Sequence, residues 1–228
     1  MPSTTKMMYF FSSALLSAGG IAILGYGMST AWADCVMYCG PSDNNQFNGF
    51  AEIVMGLFAG AERKTTCPRF DSEDTFTVFT RLEKTGGAAV ALQGLVVCLL
   101  VLALLGSAGS LLITLYNTVS NPYETYMGPI GLFTCSGLSA SLAFLALVLY
   151  LINVMVIKLG QELAKHTGDV VVEDKDMKFM TGFFLLLPYI ILNLLTILLV
   201  YLYVHIDNTH RRQQEKPTED APKDIMMF

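Results

Sequence analysis

Residues 85–123 read TGGAAVALQGLVVCLLVLALLGSAGSLLITLYNTVSNPY and contain no Asp, Glu, Lys or Arg. A helix rises about 1.5 Å per residue, so about 20 apolar residues cover the roughly 30 Å of hydrocarbon in a bilayer. This stretch is therefore long enough to cross a membrane. Three further uncharged stretches share that property: residues 7–33, 125–157 and 179–206. The sequence predicts a protein that crosses the membrane four times.

The predicted fold class is an all-α membrane protein, a four-transmembrane-helix bundle with a small extracellular β-sheet from the first loop. The chain is expected to form a single tetraspan domain over residues 1–228, with spans at about 8–30, 88–115, 130–157 and 181–203. Between and after the spans we expect extracellular loops at 31–86 and 158–178, a cytoplasmic turn at 116–129 and a cytoplasmic tail at 204–228.

Local signals refine these segments. Pro188 inside the fourth span predicts a kink, because proline lacks the N–H that a helix interior uses. The segment 158–166 has leucines at helical spacing and is interpreted as the third span continuing past the membrane surface. The alternation in Thr75–Thr80 predicts a strand, and the mixed charges of 211–224 predict a disordered tail. Asn117 is interpreted as one of the residues that end the second span.

The cysteines suggest which side of the membrane each loop faces. Cys35, Cys39 and Cys67 all lie in the long first loop, which favours an oxidising exterior and places both termini in the cytoplasm. An alternative is signal-peptidase cleavage after Ala31-Trp32-Ala33, which would leave three spans. The preceding uncharged run is much longer than a signal sequence of ~7–15 apolar residues, which favours four spans.

The same cysteines predict a structural disulfide. A bond from Cys35 or Cys39 to Cys67 would close a loop of roughly 30 residues and stabilise the fold by about 3–4 kcal/mol in the chain-entropy estimate. Sequence alone leaves open which of the two pairs with Cys67, and three reduced thiols are the alternative. A structural zinc site is disfavoured because no histidine lies near these cysteines.

Several classes of function are disfavoured by composition and motifs. The formal net charge is −5 and no basic patch is present, which argues against nucleic-acid binding. The predicted spans contain no ionisable residue of the kind that pumps, transporters and voltage sensors require. No catalytic, cofactor-binding or metal-binding motif is recognised, so we expect no enzyme and no cofactor apart from bound lipid or cholesterol. A loose cholesterol-contact pattern is formed by Lys6, Tyr9 and Leu15.

The polar and small residues inside the spans suggest how the helices associate. Gln93, Asn153 and Asn193 are expected to form interhelical hydrogen bonds. Small residues recur in the first three spans at intervals that allow close packing, for example Ser13, Ser17 and Gly20. Packing within one bundle is the simpler interpretation, and an interface with a second copy or with another membrane protein is the alternative.

The motifs resemble those of a known family. Trp32, the segment Gly56-Leu57-Phe58-Ala59-Gly60 and the loop cysteines resemble the claudin-like four-span superfamily, and the chain as a whole resembles the clarins. The resemblance to clarins rests on Met1-Pro2-Ser3, on the closing segment 221–228 and most specifically on a turn motif. That motif contains Asn121, Pro122, Tyr123 and Glu124, followed by Gly128 and Pro129. Unlike many clarins, this chain has no Asn-x-Ser/Thr glycosylation site.

The resemblance implies a function that composition does not reveal. It predicts a non-enzymatic plasma-membrane organising or accessory protein that contacts membrane lipids and binds other membrane proteins or cytoplasmic scaffolds, with a family link to sensory hair cells and hearing. The alternatives are a claudin-like cell-adhesion or paracellular barrier protein and an auxiliary subunit of an ion channel. Independently of the resemblance, Met226 and Phe228 at the end of the tail fit a PDZ-type ligand.

Overall fold

The computed structural model describes residues 4–41, 49–65, 72–84, 87–119, 128–164 and 170–215. Its helices are α1 (Thr4–Ser29), α2 (Val78–Glu83), α3 (Gly87–Val119), α4 (Pro129–Met155), α5 (Leu159–Ala164), α6 (Thr181–Phe184) and α7 (Leu186–Glu215). Its strands are β1 (Ala31–Pro41), β2 (Gly49–Gly56), β3 (Ala59–Thr65), β4 (Ser72–Thr77) and β5 (Val170–Phe179).

Four long helical segments form the bundle. The segments α1, α3, α4 and α6–α7 are each long and apolar enough to cross a membrane, so the prediction of four spans is confirmed. Helix α1 packs against α3 and α7, and α4 packs against the same two helices from the other side. The sheet caps one end of the bundle. In chain order, its strands come after α1 and α4 and before α3 and α6.

Two of the long helices extend beyond the predicted spans. At about 1.5 Å per residue α3 is about 50 Å long, and Asn117 does not break it. The Asn117 Nδ2 instead donates a hydrogen bond of 2.8 Å to the Ile113 carbonyl one turn earlier. Helix α7 continues to Glu215, so the predicted disorder from residue 211 is wrong up to that point. Extending an existing helix costs little, and Arg212 in the last turn complements the helix dipole.

The helix interruption near Pro188 was predicted, whereas the one at Lys158 was not. Helix α6 ends at Phe184 and α7 begins at Leu186, because Pro188 has no N–H to donate to the Phe184 carbonyl. The expected continuation of the third span past residue 157 is wrong. Helix α4 ends at Met155, and Lys158 has a φ of 56° that separates it from α5.

The sheet is antiparallel and has the strand order β4-β3-β2-β1-β5. Its first four strands come from the long first loop, as predicted. The fifth comes from the second polar loop, for which no strand was predicted, and β5 pairs with β1 from Ala33↔Phe179 to Pro41↔Val170. The predicted strand at Thr75–Thr80 is also shifted, since β4 ends at Thr77 and the next residues form α2.

One face of the sheet packs on the helices. Side chains alternate between the two faces of a strand, and in β2 the buried positions are Ala51, Ile53 and Met55. In β1, Cys35 and Met37 are buried on the same side. All of these residues except Ala51 belong to one continuous hydrophobic core that also includes residues of the membrane helices, so the sheet and the helices are packed as a unit.

The backbone at Lys158 leads to a first prediction. A left-handed conformation costs a residue with a Cβ roughly 1–2 kcal/mol, and glycine escapes this cost. We expect Lys158→Gly to be more stable than Lys158→Ala by about 1 kcal/mol, because both variants lose the lysine side chain and differ in the backbone. Thermal unfolding of the two purified variants measures the difference. Equal stability would mean that residue 158 does not have this conformation.

Candidate functional site at the junction of the sheet and the bundle

Trp32 occupies the centre of the junction. The register of β1 against β2 shifts between Ala31 and Ala33, and Trp32 at this irregularity is fully buried. Its Nε1 donates a hydrogen bond of 2.7 Å to the Gly27 carbonyl in the last turn of α1. The indole thus ties the first strand to the first helix.

An aromatic cluster surrounds the indole. The Tyr150 ring of α4 lies edge-on at a centroid distance of 4.9 Å, and the Phe183 ring of α6 lies at 6.5 Å. The ring of Phe179 at the end of β5 stacks on Phe183 at 4.5 Å. A Cβ at Gly182 would overlap the Trp32 indole, so glycine is required for this close approach. Residues from both loops and from three membrane helices therefore meet around Trp32.

The Gly56–Gly60 segment forms the turn between β2 and β3. A Cβ at Gly56 would lie 3.1 Å from the Thr30 carbonyl oxygen, which is tighter than ordinary contact. Leu57 is buried, and its carbonyl accepts a hydrogen bond of 3.1 Å from Gln93 Nε2 of α3. The Phe58 carbonyl accepts one of 2.9 Å from the Val78 N–H, while the Phe58 ring is exposed. The turn is thus held to α1, α2 and α3.

Buried amides extend this attachment through the bundle. Asn153 Nδ2 of α4 donates to Gln93 Oε1 across 3.3 Å, which links the turn, α3 and α4. Farther along the helices from the sheet, Asn193 Oδ1 accepts a hydrogen bond of 3.3 Å from Ser107 Oγ. The Ser107 oxygen also lies 2.7 Å from the Tyr189 hydroxyl. The predicted interhelical role of the three amides is confirmed.

The stripes of small residues face other helices of the same bundle. A Cβ at Gly20 would lie 3.6 Å from the Tyr189 ring, and a Cβ at Gly106 would overlap Ser139 Oγ. The hydroxyl oxygens of Ser110 and Ser136 are 2.7 Å apart between α3 and α4. These contacts agree with the simpler interpretation, packing within one bundle.

A buried ion pair on the inner face of the sheet was not anticipated. Glu62 of β3 is 3% exposed, and its carboxylate lies 2.7 Å from Arg81 Nη1 of α2 and 3.1 Å from Lys64 Nζ. The Arg81 guanidinium also lies over the Phe76 ring, 3.9 Å from its centroid. A Cβ at Gly60 would run into that ring. The pairing of Glu62 with the buried Ile53 places Glu62 on the inner face, and only the fold brings Arg81 opposite to it.

Of the two candidate partners of Cys67, the structure describes the side chain of Cys35. Tyr38, Phe50 and Thr65 lie in one row across β1, β2 and β3. Cys35 lies three residues back from the row and is buried, with its Sγ 3.0 Å from where a Cβ at Gly160 would lie. Cys67 and the Cys39 side chain lie outside what the structure describes, so the disulfide stays a prediction. The burial of Cys35 against α5 makes Cys39 the partner that we test.

We therefore expect Cys39→Ser and Cys67→Ser to reduce delivery to the cell surface by similar amounts. Removing the second cysteine after the first should add little, because one bond is lost in either case. Cell-surface biotinylation of the two single variants and the double variant measures this. Normal surface levels of Cys67→Ser would refute the disulfide, and additive losses would mean that the two cysteines act separately.

Other predicted positions fall partly outside the described residues. Gly128 precedes α4 as its N-cap and Pro129 is the first helical residue, a position that suits proline. Asn121, Pro122, Tyr123 and Glu124 lie outside the described residues, as do Met226 and Phe228. Within the described ranges, no three His, Cys, Asp or Glu side chains converge as a metal site.

On the outer face of the sheet, the surroundings of Asp34 disfavour the ionised form of its carboxyl group. The pKa of Asp34 is raised by partial desolvation and by the neighbouring Glu52 and Asp176 carboxylates, which outweigh Lys178. A carboxyl whose pKa is higher in the folded than in the unfolded protein favours folding when protonated. That contribution is complete below the unfolded pKa and is lost as the pH rises through the folded pKa.

Asp34→Asn should therefore raise the melting temperature at neutral pH, and the gain should shrink as the pH falls towards 4. Melting temperatures of both proteins across this pH range measure the effect. The control is Glu83→Gln, at an exposed carboxylate on α2. A gain at Asp34 that stays constant with pH would contradict the explanation.

Comparison with known proteins agrees with this architecture. Four membrane-spanning segments capped by a sheet define a multi-pass tetraspan membrane protein, and a family model described as Clarin-2-like matches residues 14–200. The chain belongs to the clarin family. Clarin-3 of Mus musculus is 32% identical, and Clarin-3 of Homo sapiens 29% identical, each over the full length of both chains. Clarin-1 of Homo sapiens is 25% identical over 82% of this chain and 83% of that protein.

Proposed function

We propose that this clarin is a non-enzymatic organising or accessory protein of the plasma membrane. It binds other membrane proteins through its sheet and cytoplasmic scaffolds through its tail, with both termini in the cytoplasm. The family also suggests a link to sensory hair cells and hearing. As part of this proposal, the sheet adopts a claudin-like role as an extracellular recognition platform.

The observation that carries this proposal is the way polar groups are used inside the bundle. Ser107, Tyr189 and Asn193 bond to one another, and Ser110 bonds to Ser136. The sequences of the four spans contain no charged residue at their centres. Substrate-binding and ion-conducting bundles require polar or ionisable groups that face a pathway. Helices that are joined by such hydrogen bonds are suited to holding a structure in place.

What the bundle holds in place is the sheet. Trp32, Gly182 and the Gln93 bond to Leu57 fix the sheet to three membrane helices. Its outer face presents the ring of Phe50, which is 44% exposed and lies 5.2 Å from the Tyr38 ring. A rigid surface loses little conformational entropy on binding, which favours selective recognition of a partner.

Proximity labelling in intact epithelial cells tests the proposal, with a biotin ligase fused to the C-terminus. We expect a limited set of membrane proteins and scaffolds to be labelled, and we expect Phe50→Ser to lose the membrane partners. The matched control is Phe58→Ser, which removes an equally exposed ring (44%) at the other end of the sheet. Labelling that is unchanged by Phe50→Ser would contradict recognition through the outer face.

The sheet-capped bundle also favours a second candidate, claudin-like adhesion or barrier formation. Adhesion would require contact between sheets of neighbouring cells or copies. The edge strands β4 and β5 carry several charged residues, which disfavours pairing of edges. Cell-aggregation assays separate the candidates: aggregation that depends on the outer face supports adhesion and counts against the accessory role. An auxiliary channel function would instead appear as altered currents on co-expression.

A further inference from the structure

A groove of about 320 Å³ opens where the last turn of α1 meets the turn between β2 and β3. This volume is at the lower end of the roughly 300–1,000 Å³ typical of ligand sites. Met28, Leu57 and Phe58 contribute apolar walls, and the chain around Thr30 and Ala59 contributes backbone polar groups. None of the residues that line the groove is charged. The lining is therefore mostly apolar, with Ser29, Thr30 and Thr75 as its polar residues.

The groove lies at the level of the membrane surface. Helix α1 spans the membrane and ends at Ser29, which itself lines the groove. Two aromatic side chains at the same end of the bundle are also exposed, Tyr26 near the end of α1 and Phe184 in α6. Exposed aromatic rings are typical of the headgroup region of a bilayer. The groove therefore lies where the membrane-spanning helix α1 ends and the sheet begins.

Phe58 is held in its exposed position by the fold. The residue before it is buried, and the carbonyls of Leu57 and Phe58 accept hydrogen bonds from Gln93 and Val78. The backbone on either side of the ring is thus fixed. Exposing a large apolar ring to water is unfavourable, whereas the same ring is favourably placed among lipid headgroups and upper acyl chains.

We propose that this groove binds one phospholipid from the leaflet on the sheet side of the membrane, with Phe58 as an interfacial anchor. The upper acyl chain packs along Met28 and Leu57, and the ester region lies beside the backbone at Thr30 and Ala59. An occupant from the bilayer follows from the position of the groove at the end of a membrane-spanning helix, and the mostly apolar lining suits an acyl chain. This lipid site goes beyond the partner binding proposed above and does not depend on it.

Tryptophan fluorescence tests the position of Phe58. The chain has a single tryptophan, the buried Trp32, which provides the same background in every variant. In phosphatidylcholine nanodiscs we expect Phe58→Trp to be quenched at least twofold more strongly by lipid labelled with doxyl near the ester than by aqueous acrylamide. The control Phe50→Trp, at an equally exposed ring farther along the sheet, should show the opposite preference. Equal aqueous quenching of both variants would overturn the proposal.

Native mass spectrometry tests occupancy of the groove. Protein released from vesicles of phosphatidylcholine and cholesterol should retain about one phospholipid, and Ala61→Leu, which fills the groove, should lose it. The control Ala88→Leu, at an exposed position on α3, should retain it. Unchanged phospholipid retention in Ala61→Leu, or retention of cholesterol alone by the natural protein, would overturn the proposal. Matching melting temperatures for the two variants exclude a general folding defect.

Discussion

Trp32→Ala should lower the free energy of unfolding by about 3–5 kcal/mol, the range for removing a large buried aromatic side chain. The indole is fully buried, donates a 2.7 Å hydrogen bond to Gly27 and fills the space between Tyr150 and Gly182. Its removal leaves a cavity where both loops and three helices meet. The free energy of unfolding of an ordinary domain is about 5–15 kcal/mol, so this loss is a large fraction of the total stability.

Thermal unfolding in detergent and the fraction of protein at the cell surface measure the effect. Trp32→Phe should fall between the natural protein and Trp32→Ala, because it keeps an aromatic ring but loses the bond to Gly27. Phe50→Ala, which removes an exposed ring from the same sheet, should have a small effect. If Trp32→Ala were no worse than Phe50→Ala, Trp32 would not be the anchor of the sheet.

Gly106→Leu should have the largest effect within the membrane. A Cβ at this position already overlaps Ser139 Oγ, and the Cys135 carbonyl lies at 3.4 Å, so a leucine would push α3 away from α4. Overpacking of a close-packed interface costs typically about 1–3 kcal/mol, and separating the helices also disrupts the Ser110–Ser136 contact. We expect a fall in melting temperature and in the yield of monodisperse protein.

Gly137→Leu is the matched control for this change. Gly137 lies on α4, two residues from Ser139, but nothing lies within 4 Å of a Cβ at that position. A leucine there would face lipid and should leave the melting temperature nearly unchanged. Size-exclusion chromatography of heated samples compares the two variants. If both variants were destabilised equally, the close packing of α3 against α4 at Gly106 would not explain the effect.

The sequence predicted most of the membrane architecture, because the length of an uncharged run is a direct physical requirement of the bilayer. It also predicted the interruption at Pro188, where a missing N–H acts locally. The sequence did not predict that Asn117 lies inside α3 or that α7 extends to Glu215. Adding a residue to an existing helix costs little, so one unfavourable residue near the end of a span does not stop the helix.

The features that were missed at the junction depend on contacts distant in sequence. The segment of β5 is rich in charged residues, and its strand forms because it can pair with β1 about 140 residues earlier. Likewise, the importance of Gly182 depends on the position of Trp32, and that of Glu62 on Arg81. The motif residues Trp32 and Gly56–Gly60 were identified by resemblance, but their roles as anchors became clear only from their partners.

Hydrogen–deuterium exchange of the protein in nanodiscs tests most directly whether the two loops form one sheet fixed to the bundle. Strand β1 lies between β2 and β5 and should be protected along most of its length, whereas β5 is an edge strand and should be protected at about every second amide. Slow exchange in both strands, with that alternation in β5, is the result we predict. Exchange of residues 170–179 at the rate of an unstructured peptide would contradict a two-loop sheet and the rigid recognition surface that depends on it.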